Sequence, residues 1–310
     1  MYIKNILVAG NFEEEFYKQL PRDFQYDLRF VEVAQIKETD LTWADVYVGS
    51  SPASGFHFQN LKWVHSFNAG VNNYLEVDGW KEHDVLLTRT ICSFGQRISE
   101  YCLSYILREL QYQRYFEEKQ KLKEWSKKTP KMVKDQKIVI FGTGEIGQEV
   151  AKTFSQFGSS VYGVSQTGKQ KEYFQEVVQT ASASSVVPDS DWVISTLPLT
   201  GETKDLFNRK LFSYFTGAGF INVGRGATVD ELALVNALNE GKVRQAVLDV
   251  FKEEPLPQSS QLWEREDVII TPHISAVTEL DEAIFCFLET LKKIENHEEL
   301  PNKVDFNKGY

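Results

Sequence analysis

Three ionisable side chains each follow a short apolar segment in the second half of the chain. Arg225 lies in FINVGRGATVDE, Glu254 in VLDVFKEEPLP and His273 in VIITPHIS. Arginine presents a planar fork that pairs with a carboxylate through two hydrogen bonds. Histidine exchanges protons near neutral pH, and a neighbouring glutamate would orient the ring and favour its protonated form. Together these residues could hold a small carboxylic acid and transfer a proton to it.

Each of these residues also has an ordinary structural interpretation. A single histidine after a proline is more often structural, and a single arginine more often lies at the surface or in an ion pair. The other four histidines lack any comparable context, and we expect them to be structural or exposed: His57, His65, His83 and His297.

A glycine-rich turn lies between a predicted strand, KIVIF, and a predicted helix. Gly142 would permit a tight turn, Gly144 would let the backbone approach a pyrophosphate, and Gly147 would let the helix pack on the strand. The free amides and positive dipole end of the helix would then face the phosphates. A glycine turn without a ligand is the alternative. The predicted cofactor-binding residues of this turn are Gly142, Thr143, Gly144, Glu145, Ile146 and Gly147.

The next predicted strand, Val161–Val164, is followed by a second candidate cofactor segment, SQTGK. An acidic residue usually binds the ribose hydroxyls at this position, and a carboxylate there would repel a 2′-phosphate. Hydroxyl groups and an ammonium group would accommodate that phosphate. The segment therefore favours NADP over NAD, although a lysine here is also typical of a solvated loop. The residues concerned are Ser165, Gln166, Thr167 and Lys169.

Short apolar segments alternate with amphipathic ones, which is typical of parallel sheets covered by helices. The α/β strands that we predict are Ile6–Val8, Leu28–Val33, Val46–Val48, Trp63–Ser66, Val85–Thr88, Ile138–Phe141, Val161–Val164, Trp192–Ser195, Gly219–Asn222, Ala246–Val250 and Val268–Ile270. One long helix is predicted over Ser99–Trp125, followed by a polar linker over Lys127–Gln136. Another is predicted over Ser275–Ile294, and we expect it to pack back on the first domain.

Composition limits the classes of function. A length of 310 residues predicts about two domains. The net charge of −10 disfavours a nucleic-acid partner, because phosphate contacts need clustered Lys and Arg. Three cysteines without a CxxC pair disfavour a disulfide framework and a metal site, and fit a reducing compartment. The first apolar segment is too short for a signal peptide and no segment is long enough to span a bilayer, so we expect a cytoplasmic protein without a membrane partner.

Five segments occur in an order that resembles the D-isomer-specific 2-hydroxyacid dehydrogenases: GTGEIG, STLPLTGETKDLFN, NVGRGATVDE, LDVFKEEPLP and TPHIS. The resemblance covers nearly the whole chain. It implies two Rossmann-like or flavodoxin-like domains with parallel sheets. Residues 1–98 with 276–310 would form a discontinuous substrate domain, and residues 99–275 would form the dinucleotide-binding domain. It also implies a homodimer.

The same resemblance implies a role for each matching residue. Arg225, Glu254 and His273 would be catalytic, and Arg225 and His273 would also contact the substrate. Asp249 would bind the nicotinamide carboxamide. Additional cofactor-binding positions would be Leu197, Pro198 and Val223. In FNAGVNNY, the backbone of Ala69 and Gly70 would face the substrate carboxylate.

The resemblance implies hydride transfer between NAD(P)H and a small D-2-hydroxy or 2-keto acid. The segment VGSSPAS contains no basic residue where phosphoglycerate dehydrogenases tend to have arginine, which argues against phosphoglycerate. The formate dehydrogenase branch has Gln at the position of Glu254, which argues against formate as the substrate. Glyoxylate, hydroxypyruvate, pyruvate and branched-chain analogues remain as candidates. A different class, a dinucleotide-sensing corepressor-like protein, uses the same fold and is the alternative.

Overall fold

The computed structural model describes residues 2–80 and 82–306. The chain divides into two compact units: unit 1 comprises Met1–Cys92 and Thr278–Tyr310, and unit 2 comprises Ser93–Val277. The first boundary follows residue 92 rather than the expected 98, because the helix predicted from Ser99 already begins at Phe94. Residues 1, 81 and 307–310 of the expected substrate domain lie outside the described part.

Unit 1 contains a parallel sheet whose described strands have the order β2-β1-β3-β4-β5. This order is that of flavodoxin-like doubly wound sheets. Every residue of β3 and β4 is buried, as expected for parallel strands covered on both faces. The elements of the first segment are β1 (Asn5–Ala9), α1 (Glu13–Gln19), β2 (Asp27–Val31), α2 (Glu38–Trp43), β3 (Val46–Gly49), β4 (Trp63–Ser66), α3 (Asn72–Leu75) and β5 (Leu86–Arg89).

Unit 2 contains a longer parallel sheet whose described strands have the order β12-β11-β10-β9-β6-β7-β8. Counted from β6, this is the 3-2-1-4-5-6 order of a Rossmann sheet with one further strand. The α/β class with parallel sheets is thus confirmed. Its elements are α4 (Phe94–Leu110), α5 (Gln113–Lys121), β6 (Lys137–Phe141), α6 (Glu145–Gln156), β7 (Ser160–Ser165), β8 (Glu176–Gln179), β9 (Trp192–Ser195), α7 (Arg209–Phe212), β10 (Ala218–Asn222), α8 (Glu231–Asn239), β11 (Val243–Leu248) and β12 (Val268–Ile270).

The helix near the C-terminus, α9 (Leu280–Glu295), belongs to unit 1. The ring of Phe287 stacks on that of Trp63 at 5.0 Å and lies 6.0 Å from that of Phe16 on α1. The expected start at Ser275 is wrong. Helix α9 begins only at Leu280, and residues 275–279 are not helical. The Ser275 amide, within unit 2, donates to the Asp249 carboxylate instead.

The single helix predicted over Ser99–Trp125 is also wrong, because α4 ends at Leu110 and α5 begins at Gln113. Tyr112 between them has a left-handed φ of 53°. The returning chain holds this break: the Lys131 amide donates to the Leu110 carbonyl at 3.0 Å, and the Lys128 ammonium lies 3.9 Å from the Tyr112 ring centre.

The predicted linker, Lys127–Gln136, lies inside unit 2. Val133 is only 7% exposed and packs in the core of that unit. The segment therefore does not connect the two units. In the described part of the chain we find no helix with the length and apolar character needed to cross a bilayer.

His65 on β4 is fully buried in unit 1, which agrees with the structural role expected for it. Its Nδ1 lies 2.7 Å from the Thr88 hydroxyl, and that hydroxyl oxygen accepts the indole N–H of Trp63 at 2.8 Å. The Thr90 hydroxyl donates its proton to the Ser66 carbonyl at 3.0 Å, so at 3.4 Å it can only accept from Nε2 of His65. Neutral His65 therefore carries its proton on Nε2, and Nδ1 accepts the Thr88 hydroxyl. Burial lowers the pKa of His65 to about 3.

We expect this histidine to destabilise unit 1 in mild acid. The folded pKa lies below the unfolded value of 6.5, so the unfolded chain binds the extra proton as the pH falls. The stability is complete above that unfolded value, and roughly 3 kcal/mol is lost by about pH 4.5. This loss is measured by comparing the pH dependence of thermal unfolding in the native protein and in His65→Gln. His83→Gln is the control. An equal pH dependence in native protein and His65→Gln would contradict the prediction, as would an NMR titration in which folded His65 protonates near pH 6.5.

Candidate active site

The carboxyl ends of the central strands of unit 2 are packed against one another. The Thr196 hydroxyl, after β9, lies 3.2 Å from the carbonyl oxygens of Phe141, the last residue of β6, and of Gly142. A Cβ on Gly224, after β10, would lie 2.4 Å from the Leu197 carbonyl oxygen. In parallel sheets of this order, ligands bind at this edge.

The glycine turn between β6 and α6 has two positions that the protein backbone itself requires. Gly142 has a φ of 99°, and a Cβ there would lie 2.6 Å from the Thr196 hydroxyl oxygen. A Cβ on Gly147 would lie 1.8 Å from the Gly142 carbonyl oxygen. The tight turn and the close helix packing expected from the sequence are therefore both present.

Gly144 differs, since a Cβ there would meet no described protein atom within 4 Å. It is exposed and is the residue that precedes the first turn of α6. The clear space beside its backbone, at a helix N-terminus, fits the pyrophosphate of a dinucleotide. Among its predicted neighbours, Thr143 is buried, Ile146 is half-buried and Glu145 is exposed.

The segment after β7 forms a compact turn. The Ser165 hydroxyl oxygen accepts the Gly168 amide at 3.1 Å, and the Thr167 hydroxyl oxygen accepts the Lys169 amide at 3.3 Å. Gly168 has a φ of 64°, a left-handed value that favours glycine. Gln166, Thr167 and Lys169 are exposed, and the turn itself contains no carboxylate.

Glu254 and His273 form a hydrogen-bonded pair, with 2.8 Å between Oε2 and Nδ1. The other carboxylate oxygen of Glu254 accepts the Phe251 amide at 2.9 Å, which fixes the carboxylate plane. The imidazole is 49% exposed. Because Glu254 faces Nδ1, the arrangement leaves Nε2 to exchange a proton with a bound molecule.

Asp249, directly after β11, is fully buried and holds the loop that carries His273. One of its oxygens accepts the Thr271 hydroxyl at 2.6 Å and the Ile274 amide at 2.8 Å. The other accepts the Ser275 amide at 2.8 Å, and the Asp249 carbonyl accepts the His273 amide at 2.8 Å. This loop-holding role was not predicted from the sequence.

Arg225 follows β10 and is half-buried, with one guanidinium nitrogen 2.7 Å from the Gly224 carbonyl oxygen. A Cβ on Gly226 would lie 1.9 Å from the Phe251 carbonyl carbon, so the Arg225 loop packs directly on the Phe251 backbone. Since Phe251 also binds Glu254, the Arg225 loop lies next to the glutamate–histidine pair. The glycines on both sides of Arg225 were the available sequence signal for this packing.

Ala69 and Gly70 follow β4 in unit 1 and are half-buried. Their loop is held by the Asn68 and Asn73 side chains, which donate to the Ser50 carbonyl at 3.0 and 2.9 Å. Within residues 2–80 and 82–306, the structure shows no hydrogen-bond acceptor for the amides of Ala69 and Gly70. Their substrate-binding role stays a prediction, as do the roles of Arg225, Glu254, His273 and the cofactor-binding residues.

Comparison with known proteins agrees with this architecture. Residues 103–275 match the family model of the D-isomer specific 2-hydroxyacid dehydrogenase, NAD binding domain. Glyoxylate/hydroxypyruvate reductase A of Klebsiella pneumoniae is 31% identical over 308 residues, which cover 96% of this chain and 95% of the relative. The protein of that name from Serratia proteamaculans is 37% identical over 227 residues, which cover 70% of this chain and 72% of the relative.

Two solved structures cover the whole chain or nearly so. A D-isomer specific 2-hydroxyacid dehydrogenase from Xanthobacter autotrophicus, in complex with NADPH and MES, is 29% identical with a TM-score of 0.88 and covers 100% of both chains. An NADPH-dependent glyoxylate/hydroxypyruvate reductase from Sinorhizobium meliloti, in complex with NADP and sulfate, is 27% identical with a TM-score of 0.88, covering 99% of this chain and 100% of that one. The glycine turn, the glutamate–histidine pair and these matches place the chain in the D-isomer specific 2-hydroxyacid dehydrogenase family.

Proposed function

We propose that the protein reduces small 2-keto acids to D-2-hydroxy acids with NADPH, and that glyoxylate and hydroxypyruvate are substrates. The observation that carries this proposal is the pairing of His273 with Glu254 at 2.8 Å beside the Arg225 loop. The proposed proton donor, His273, and the proposed carboxylate-binding cation, Arg225, lie on neighbouring loops, which supports this assignment. Both loops lie at the sheet edge where the glycine turn of β6 would hold a dinucleotide.

Each residue has a defined task in the proposed reaction. A bound nicotinamide supplies the hydride. Arg225 pairs with the substrate carboxylate through its guanidinium fork. His273 gives a proton from Nε2 to the carbonyl oxygen, while Glu254 holds Nδ1 and stabilises the imidazolium. For unit 1, the backbone amides of Ala69 and Gly70 stay the proposed substrate-binding groups.

The remaining cofactor positions are assigned in the same proposal. Leu197, Pro198 and Val223 follow β9 and β10, and their largely buried side chains would provide an apolar wall for the cofactor. Ser165, Gln166, Thr167 and Lys169 would receive the 2′-phosphate. The solved relatives from Xanthobacter and Sinorhizobium were determined with NADPH and NADP, which supports this choice of cofactor.

The substrate proposal rests on relatives and on local sequence. Several of the curated relatives carry the name glyoxylate/hydroxypyruvate reductase. Residues 48–54 contain no basic side chain that could meet a phosphate group, so we exclude phosphoglycerate from the proposal. The names of these relatives do not favour the alternative of a dinucleotide-sensing corepressor-like protein.

Initial rates of NADPH and NADH oxidation test the proposal directly. The panel of acids is glyoxylate, hydroxypyruvate, pyruvate and 2-ketoisocaproate. We expect the highest kcat/KM for glyoxylate or hydroxypyruvate with NADPH. Cofactor binding without turnover of any of these acids would contradict the proposal and support the sensing alternative.

A carboxylate at Ser165 should reverse the cofactor preference. Aspartate can still accept the Gly168 amide, as Ser165 does at 3.1 Å, so the turn is kept while the new charge repels a 2′-phosphate. We expect Ser165→Asp to lower kcat/KM for NADPH relative to NADH by about 100-fold, or about 2.8 kcal/mol. Ser160→Asp, at the other end of β7, is the matched control and should keep the native ratio. An unchanged ratio in Ser165→Asp would remove this turn from the cofactor site.

We propose a homodimer through the surface of unit 2 that follows α5. Three large apolar side chains are exposed there: Leu122 at 62%, Trp125 at 96% and Met132 at 56%. Light scattering at micromolar concentration should give twice the chain mass of 35.6 kDa. Trp125→Ser should weaken the dimer, whereas Trp263→Ser, another exposed tryptophan of unit 2, should not. A monomeric native protein would contradict the proposal.

A further inference from the structure

Tyr101 on α4 is hydrogen-bonded to the loop that carries His273. Its hydroxyl oxygen lies 2.6 Å from that of Thr271, a residue 170 positions further along the chain. The Thr271 hydroxyl donates its single proton to the Asp249 carboxylate, also at 2.6 Å. Tyr101 must therefore be the donor to Thr271, and the two hydroxyl groups form a series that ends on one carboxylate.

From this geometry we propose that Tyr101 is a positioning residue for His273, acting through Thr271 and Asp249. The inference rests on the proposed function of His273 as proton donor. Asp249 receives the amides of Ile274 and Ser275 on its carboxylate and the amide of His273 on its carbonyl. A displacement of Asp249 would therefore move both sides of the histidine.

The need for Tyr101 follows from the surroundings of Asp249. The residue is fully buried and, in the described part of the chain, no cationic side chain pairs with it. Its charge is stabilised only by neutral donors, and a buried charge is costly when such donors are lost. Hydrogen bonds in series also strengthen one another at low dielectric.

Tyr101 remains a donor across the physiological pH range. Burial, together with the nearby Asp249 carboxylate, raises the pKa of the Tyr101 phenol well above its ordinary value. The hydroxyl therefore keeps its proton at neutral pH. Its neighbour Tyr105, whose ring centre lies 4.8 Å away, is on the same helix and is also half-buried. Within the described residues no hydrogen bond is seen for the Tyr105 hydroxyl, which makes Tyr105→Phe a matched control.

The test is the ring tautomer of His273 in protein labelled with ¹⁵N-histidine, with the signal assigned by its loss in His273→Gln. In native protein and in Tyr105→Phe we expect neutral His273 to carry its proton on Nδ1, facing Glu254. In Tyr101→Phe and Thr271→Val we expect a mixture with the Nε2 tautomer. With the preferred keto acid, kcat should fall about 3- to 10-fold in the same two variants.

Two further variants separate positioning from general stability. Because the two hydroxyls act in series, the double variant Tyr101→Phe/Thr271→Val should lose no more kcat than Thr271→Val alone. Thr271→Ser keeps the hydroxyl and, unlike Thr271→Val, should keep the native tautomer of His273. A native tautomer and native kcat in Tyr101→Phe would overturn the proposal, and so would additive losses in the double variant.

The tautomer measurement tests the role of Tyr101 separately from the proposed catalytic function. If native protein reduces none of the keto acids, the proposed function fails. The tautomer of His273 is still measured in that case. A mixed tautomer in Tyr101→Phe but not in Tyr105→Phe would then still support the positioning role.

Discussion

Replacement of His273 by alanine should lower kcat for keto-acid reduction by about 10²–10⁴-fold, the range that general acid catalysis contributes. The Nδ1 atom faces Glu254 at 2.8 Å, so Nε2 is the position from which a proton reaches the substrate. KM for the cofactor should change little, since the glycine turn is built on other loops. Steady-state kinetics with NADPH and glyoxylate measure both quantities.

The control for this variant is His297→Ala. Both histidines are exposed and both have a left-handed φ of 55°, so alanine meets the same backbone strain at either position. We expect His297→Ala to keep the native kcat. Comparable losses in the two variants would show that strain, rather than a lost proton donor, explains the effect.

The second large effect should come from two alanine substitutions in the glycine turn. Gly144→Ala should lower the affinity for the cofactor, whereas Gly147→Ala should lower the stability of the fold. A Cβ at Gly144 meets no described atom within 4 Å, so Gly144→Ala should fold normally. The methyl group would occupy the space proposed for the pyrophosphate, and we expect NADPH affinity to fall about 100-fold, or about 2.8 kcal/mol. Calorimetric titration with NADPH measures the affinity, and thermal unfolding measures the stability.

Gly147→Ala should act on the fold instead. Its Cβ would lie 1.8 Å from the Gly142 carbonyl oxygen, an overlap that only a shift of α6 can relieve. We expect a loss of about 1–3 kcal/mol or more in the free energy of unfolding. If Gly144→Ala bound NADPH normally, the pyrophosphate would have to lie elsewhere. If Gly147→Ala were as stable as the native protein, the close packing of β6 and α6 would be wrong.

The glycine turn and the parallel strands could be predicted from the sequence because their signals are local. Apolar strands of a parallel sheet are buried on both faces, so Ile138–Phe141 and the first three residues of Trp192–Ser195 appear as unbroken apolar runs. The roles of Gly142 and Gly147 depend on neighbours within one strand–turn–helix unit. The break between α4 and α5 had no such signal, since neither Pro nor Gly lies near Tyr112. It depends on Lys128 and Lys131, which return to it only in the folded chain.

The local sequence identified the residues that could do the chemistry: Arg225, Glu254 and His273 each follow a strand of one parallel sheet. It did not determine how they are held. Asp249 could be placed at a strand end, yet its two oxygens are occupied by Thr271, Ile274 and Ser275. A buried carboxylate takes whichever donors the packed chain brings to it, and such donors leave no periodic pattern in the sequence. Tyr101 reaches this network from 170 positions away, a contact that forms only when the packed chain brings α4 against the Thr271 loop.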